Sequence, residues 1–271
     1  MGYLLLATAA ITLSNCNSLF YYPSEKHIRT PKQINLEFTE HNLEIEKEQS
    51  INLWHIEAVG KSKGIVIHFH GNAQNMSYHL PFAAWLPFVG YELITFDYRG
   101  YGKSKGEVTR EHTIQDGIAV LNWVKEKFPK KKTYILAQSL GGAIALTTLG
   151  TIKEKHNIKK VIIDSSFASY RSVAQSKLAQ GWLTWPLQYP LKYLVSDDLS
   201  PYKFKDKYDN FSFLIFHSTQ DPVVPYSNGL ELKDIIKGKT EFISLQKPYH
   251  TLPFIMANPV WRQYSLDFLK K

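Results

Sequence analysis

The sequence is poor in the features that brace or anchor many proteins. It has one cysteine, Cys16, in 271 residues, so no intrachain disulfide can form and paired-thiol redox chemistry is excluded. It has no internal repeat and no low-complexity linker, which argues against solenoids and flexible arrays. Lys and Arg outnumber Asp and Glu by 32 to 24, a net charge of +8. The lysines scatter, apart from the local runs Lys130-Lys131-Lys132 and Lys159-Lys160. Aromatic residues do not interleave with them in the manner of a nucleic-acid surface, so nucleic acid is not an expected partner. The excess reads as a solvated basic surface, which could also favour anionic lipid or acidic partners. The most N-terminal apolar run, Tyr3–Leu13, spans about 11 residues, too short to cross a bilayer as a helix.

What is present points to one large domain. Hydrophobic residues make up 44% of the chain, enough at this length for a full core. Apolar strand-like runs alternate with helical patterns over His79–Val89, Thr109–Phe128, Leu140–Leu149, Tyr226–Ile236 and Pro259–Leu269. That alternation predicts an α/β fold, a doubly wound and mostly parallel sheet of about eight strands with helices on both faces. Ile34–Glu40 and Leu43–Ile56 read as opening strands that pair antiparallel.

The uncharged residues 1–15 suit the core of a signal peptide. The Leu13-Ser14-Asn15-Cys16 that follows resembles a bacterial lipobox, in which the cysteine is lipidated and becomes the mature N-terminus. Asn15 departs from the usual small residue, and no Lys or Arg precedes the run. A buried N-terminal segment or an uncleaved anchor is the alternative. The expected organisation is a signal peptide over 1–15, a tether over 16–33, and a domain over 34–271 with a lid at about 167–210. The expected location is the bacterial cell envelope, with membrane attachment through Cys16.

The most informative segment is Gln138-Ser139-Leu140-Gly141, between the apolar run Tyr134–Ala137 and the small-residue stretch Gly142–Leu146. It reads as strand, sharp turn and helix with a serine at the tip. A serine hydroxyl attacks carbonyls only when a base takes its proton and an electropositive pocket receives the oxyanion. The backbone N–H after the serine, at a helix N-terminus, supplies part of that pocket. Gly141 meets the need for a small residue after the serine, whereas Ala137 carries one methyl more than the G-x-S-x-G pattern. A plain helix N-cap serine would fit the same residues.

Four further segments come in the right order. Gly64–Phe69 ends at His70-Gly71, where a loop N–H could serve as a second oxyanion donor. Tyr91–Phe96 runs into Asp97-Tyr98-Arg99-Gly100-Tyr101-Gly102-Lys103-Ser104, where Arg99 reads as a loop brace and Asp97 as paired nearby. Phe213–Phe216 leads to Asp221-Pro222, a carboxylate that can orient a histidine or simply open a turn. His250 follows the strand Thr240–Leu245, which completes the chain order Ser, Asp, His.

Together these segments resemble the α/β-hydrolase superfamily over roughly residues 35–270, most specifically in H-G-N-A (His70–Ala73), D-Y-R-G-Y-G-K-S (Asp97–Ser104), the serine elbow, D-P-V-V-P (Asp221–Pro225) and His250. The first two are similar to those of membrane-associated lipases, lysophospholipases and protein depalmitoylases. The resemblance implies Ser139 as nucleophile, Asp221 as acid, His250 as base, and the backbone N–H groups of Asn72 and Leu140 as oxyanion hole. It implies a small-molecule or lipid acyl ester or thioester substrate, with no cofactor or metal. A serine peptidase, or a non-catalytic membrane-anchored scaffold of the same fold, remains the alternative.

Two other site patterns fail. His68-Phe69-His70 would need Asp and His at the positions of Asn72 and Ala73 to open a binuclear zinc motif. Gly100–Ser104 ends like a P-loop, but Asp97 stands where that motif needs glycine. In the expected lid, Trp182, Trp185, Tyr189 and Tyr193 recur with leucines at helical spacing, interrupted by Pro186 and Pro190. Trp182 and Trp185 are candidates to line an acyl pocket or touch a membrane; packing of the lid on the sheet is the alternative.

Overall fold

The computed structural model describes residues 20–153, 156–251, 254 and 259–271. The expected leader and Cys16 therefore lie outside the described residues. Eight strands form the sheet: β1 (Phe38–Glu46), β2 (Gln49–Ile56), β3 (Ile65–Phe69), β4 (Glu92–Phe96), β5 (Thr133–Gln138), β6 (Ile158–Asp164), β7 (Ser212–Ser218) and β8 (Lys239–Leu245). Their spatial order is β8-β7-β6-β5-β3-β4-β2-β1. β2 pairs antiparallel with β1 and β4, and every other pairing is parallel. The central strands β3, β4 and β5 are buried along their whole length, as sheets covered on both faces require.

The two faces have separate cores. On one, Val120, Leu121 and Val124 of α3 (Arg110–Lys127) join Ala143–Leu146 of α4 (Leu140–Thr151). On the other, Met76 and Leu80 of α1 (Met76–Ala83), Trp85 of α2 (Trp85–Phe88) and Phe268 of the C-terminal helix Pro259–Lys270 pack together. This is an α/β-hydrolase-type fold with helices on both faces.

The opening hairpin turns at Lys47-Glu48 rather than near His41, because Glu48 takes a left-handed backbone (φ 64°) that closes the tight turn. The pair Lys159-Lys160 follows Ile158 at the start of β6, with Lys159 exposed and Lys160 half-buried. Lys160 reaches past the sheet to donate to the carbonyls of Phe268 and Leu269.

Between β6 and β7 lies a helical insertion. It opens with α5 (Tyr170–Gln180), whose N-cap Ser169 accepts from Ser172 N–H. A 3₁₀ turn (Trp185–Leu187), the one-turn helix α6 (Gln188–Leu191) and a second 3₁₀ turn (Lys192–Leu194) follow. Pro186 and Pro190 lack the N–H that a continuous helix needs, which divides the segment into single turns. Beyond it, α7 (Tyr226–Ile235) joins β7 to β8, which makes the C-terminal helix α8.

The N-terminal arm is laid across the loop after β3. Tyr22-Pro23 pairs in parallel with Ala73-Gln74. Asn75 donates from Nδ2 to the carbonyls of Ser24 and Lys26 at 2.9 and 2.8 Å. Tyr22 N–H donates to Asn72 Oδ1 at 2.9 Å.

Candidate active site

Parallel strands bring their carboxyl ends to one edge, and the candidate residues follow from that edge. Asn72 comes three residues after β3, Ser139 directly after β5, Asp221 three residues after β7 and His250 five after β8. Ser139 sits at the strand-to-helix turn with φ 51° and ψ −123°, a strained conformation for a side chain other than glycine. The turn is held by Ser139 N–H donating to the Asp164 carbonyl at 2.8 Å. Gly141 is obligatory here, since a Cβ on it would stand 2.3 Å from the carbonyl oxygens of both Phe69 and His70. Ala137, the departure from the elbow pattern, is fully buried in the core, where its methyl packs.

Ser139 occupies the cap position of α4 yet makes no capping hydrogen bond with its side chain. Thr109 and Ser169 cap their own helices in the usual way. The Ser139 hydroxyl instead stands 2.9 Å from His250 Nε2. His250 Nδ1 lies 2.9 Å from Asp221 Oδ2 and 3.1 Å from Oδ1. A carboxylate can only accept, so Nδ1 carries the proton and Nε2 offers its lone pair to the serine. Asp221 also accepts from the N–H groups of Val223 and Val224 at 2.7 and 2.8 Å. It thus opens the turn before Pro222 and holds the histidine as well. Burial pushes the Asp221 carboxyl up, but the hydrogen bond and charge of His250 and the two N–H donors outweigh it and hold the group below its ordinary range.

The histidine loop is tied to the sheet by residues that carry no sequence signal. Ser165 and Thr251 adopt φ 56° and 57°, and Thr251 N–H donates to Ser165 Oγ at 3.3 Å. Ser165 Oγ donates in turn to Asp164 Oδ1 at 3.0 Å. Burial, aided by the charge of Asp221, raises the Asp164 carboxyl to about 7 against the Ser165 hydrogen bond.

A cavity of about 830 Å³ opens above Ser139 and His250, with Asn72 and Leu140 in its wall. Phe20, Phe167, Val173, Leu178, Leu191 and Val224 supply much of the apolar remainder. Among the described lining residues, Lys177 is the one Lys, Arg, Asp or Glu. Trp182 and Trp185 do not line it; they are 85% and 60% exposed, because the proline-broken turns point them outward. Phe20 and Tyr22 of the N-terminal arm do line it, which no local pattern could reveal.

The other singled-out residues are structural. Arg99 is fully buried, with Nε 2.6 Å from Asp116 Oδ1 and further donations to Gln49, Gln115 and the His112 carbonyl. Asp97 accepts from Met76 N–H at 2.7 Å and pairs with His27 at 2.6 Å. Both nitrogens of His68 are engaged, by Thr95 and Gln138, and burial lowers its imidazole to about 3.

The family model for serine aminopeptidase, S33, matches residues 60–211. The Escherichia coli (strain K12) protein YfhR, itself uncharacterized, is 30% identical over 75% of this chain and 69% of its own length. The lysophosphatidylserine lipase ABHD12 of Gallus gallus is 29% identical over 73% of this chain, which spans 55% of that protein. Among solved structures, the Pyrococcus furiosus esterase Pf2001 superposes with a TM-score of 0.72 at 22% identity, covering 93% of this chain and 97% of that one. The Pyrococcus horikoshii acylaminoacyl peptidase gives a TM-score of 0.63 at 13% identity, covering 87% of this chain and 41% of that one.

Proposed function

Because this chain belongs to the serine aminopeptidase S33 family, and is thereby a serine-hydrolase-type enzyme, we propose that it cleaves carboxylic ester or thioester bonds of an apolar acyl substrate. One observation carries the reading: the Ser139–His250–Asp221 relay lies at the floor of a large cavity with an apolar wall. The volume falls in the range of roughly 300–1,000 Å³ that holds small-molecule ligands.

His250 Nε2 takes the Ser139 proton as Oγ attacks the acyl carbon. The N–H groups of Asn72 and Leu140 receive the oxyanion, Leu140 with the help of the α4 N-terminus. The C–O or C–S bond breaks, and His250 returns the proton to the leaving alcohol or thiol. Water, deprotonated by the same nitrogen, then releases the acid and frees Ser139. Asp221 keeps the imidazole in the working tautomer and stabilises its cation.

The family's description raises a peptidase reading. A carboxylate is the strongest partner for the α-ammonium of an aminopeptidase substrate, and the described lining of this cavity carries Lys177 and no Asp or Glu. That favours a neutral or anionic acyl substrate. The lysophospholipid named for the ABHD12 relatives is of this kind, an acyl chain with an anionic head. Attachment to the bacterial envelope through a lipid on Cys16 completes the proposal.

The test is a fluorophosphonate probe followed by peptide mapping, beside p-nitrophenyl esters of graded length, an acyl thioester and an aminoacyl amide. We expect the label on Ser139, faster turnover of longer acyl chains than of acetate, and a Ser139→Ala enzyme reduced by at least ~10³-fold in kcat. A label elsewhere, or near-normal ester turnover by Ser139→Ala, overturns the mechanism. Preferential cleavage of the aminoacyl amide overturns the substrate class.

A further inference from the structure

The insertion between β6 and β7 ends in the most exposed apolar surface among the described residues. Trp182, Leu183, Trp185, Tyr189 and Tyr193 all stand out into solvent, at 85%, 67%, 60%, 61% and 66% exposure. Scattered surface apolar residues need no explanation, but five within 12 positions form a patch that does. The side-chain types are also particular. Trp and Tyr carry an apolar body and a polar tip, which suits the boundary between lipid headgroups and acyl chains.

Charge narrows the occupant. Residues 165–196 contain no Asp or Glu, and carry Arg171, Lys177 and Lys192. The Lys192 ammonium lies 5.5 and 5.4 Å from the rings of Tyr189 and Tyr193, and the Arg171 guanidinium 5.1 Å from Tyr193. The carboxylates that follow are engaged: Asp197 accepts from Ser169, Ser200 and Arg171 N–H, and Asp198 from Ser196. The patch is therefore apolar at its centre, and the charges its own segment sets around it are cationic. A second copy of this chain would set like charges against each other, whereas an anionic lipid surface complements both features.

Position supports the same occupant. The segment that carries the patch also supplies Leu178, Thr184, Leu191 and Leu194 to the cavity wall, so the two apolar surfaces are continuous through the same turns. We propose that residues 182–193 form an interfacial docking surface that seats the protein on an anionic bilayer with the cavity mouth toward the lipid. This surface is separate from any lipid at Cys16, and it does not depend on Ser139 being the nucleophile.

The experiment reads the surface locally. Cys16 is the sole cysteine, so the full chain carrying Cys16→Ser and Leu183→Cys takes an environment-sensitive fluorophore at one site. A Val59→Cys counterpart, exposed in the loop before β3 at the opposite edge of the sheet, is the control. Vesicles of phosphatidylcholine with phosphatidylglycerol should blue-shift the label at 183 and leave that at 59 unchanged. Phosphatidylcholine alone should need roughly ten-fold more lipid, because each cation near an anionic surface adds several-fold to binding. Lys192→Glu should weaken the response to the anionic vesicles by several-fold. Trp182→Ser with Trp185→Ser should abolish it while p-nitrophenyl acetate turnover stays within two-fold of the parent, roughly the noise of such surface changes. No shift at 183 overturns the proposal. So does an equal shift at 59, or a shift that grows with protein concentration in the absence of vesicles, which would identify a second copy as the occupant. Loss of acetate turnover in every variant and the parent would count against the proposed reaction and leave the vesicle readout standing.

Discussion

Among the described residues, two hydrogen-bonded aspartate–histidine pairs sit at the carboxyl edge of the sheet, and only one is placed for chemistry. Asp97, after β4, pairs with His27 at 2.6 Å; Asp221, after β7, pairs with His250 at 2.9 Å. Both carboxylates are completely buried. The far nitrogens differ. His27 Nδ1 is sealed without a partner among the described atoms, and the ring packs edge-on against Trp54. His250 Nε2 faces the Ser139 hydroxyl at the floor of the cavity. An Asp–His pair is thus a common means of fixing an imidazole. What it does is decided by the group on the other nitrogen and by access. The Asp97 pair holds the N-terminal arm and α1 together, since Asp97 also accepts from Met76 N–H.

The sharpest way to break the comparison is Asp221→Asn. It keeps the shape but lets an amide N–H face His250 Nδ1, which forces the wrong tautomer. We expect kcat on a p-nitrophenyl ester to fall by about 10⁴-fold with little change in KM. The comparison fails if that enzyme stays within ten-fold of the parent.

Asp97→Ala should give the opposite division between stability and turnover. It strands His27 and Met76 N–H, and loss of one partner of a buried pair costs about 3–5 kcal/mol. Denaturant midpoints should drop accordingly, while the folded fraction turns over ester within a few-fold of the parent. A folded but inactive Asp97→Ala enzyme, beside a mild Asp221→Asn, would exchange the two roles.

The smallest expected effect concerns a third carboxyl, Asp164, which has no histidine. Its folded value of about 7 lies above the ordinary value of 3.8. Between those values the folded chain holds a proton that the unfolded chain has released. Stability from this group is therefore present at low pH, lost as pH rises through about 7, and level above that. Asp164→Asn should flatten the decline of Tm between pH 5 and 8 by about 3 °C. An unchanged slope would mean that Asp164 is ionised throughout.

The parts of the site legible in the sequence are those carried by local pattern. The β5 elbow, the His70-Gly71 strand end and the Asp221 turn each combine an apolar run with a turn residue, and the structure brings all three together with His250. Helices such as Arg110–Lys127 and Pro259–Lys270 fall within a residue or two of expectation for the same reason. What was hidden is long-range or against type. β6 carries two lysines, Lys159 and Lys160, directly after its first residue, which weakens its apolar pattern. Phe20 and Tyr22 reach the cavity through pairing with residues about 50 positions away. Ser165 and Thr251 take left-handed backbones without being glycine or asparagine. Helical spacing in Trp182–Leu194 left an acyl pocket, a membrane contact and lid packing open, and in the structure the tryptophans turn outward.

The arm laid over the loop after β3 has a mechanical consequence. Phe20 is fixed in the cavity wall, against Tyr170 at 5.2 Å between ring centres. Cys16 is four residues upstream, and a chain cannot stretch beyond about 3.6 Å per residue. A lipid on Cys16 would thus moor the enzyme by a leash of roughly 14 Å at most, made fast at the rim of its own cavity. A leash that short sets heading as well as distance: the molecule could not swing its opening away from the bilayer without pulling the arm off Asn72 and Asn75. With such a lipid in place, lengthening the chain between residues 16 and 20 would keep the tether but free the molecule to tumble.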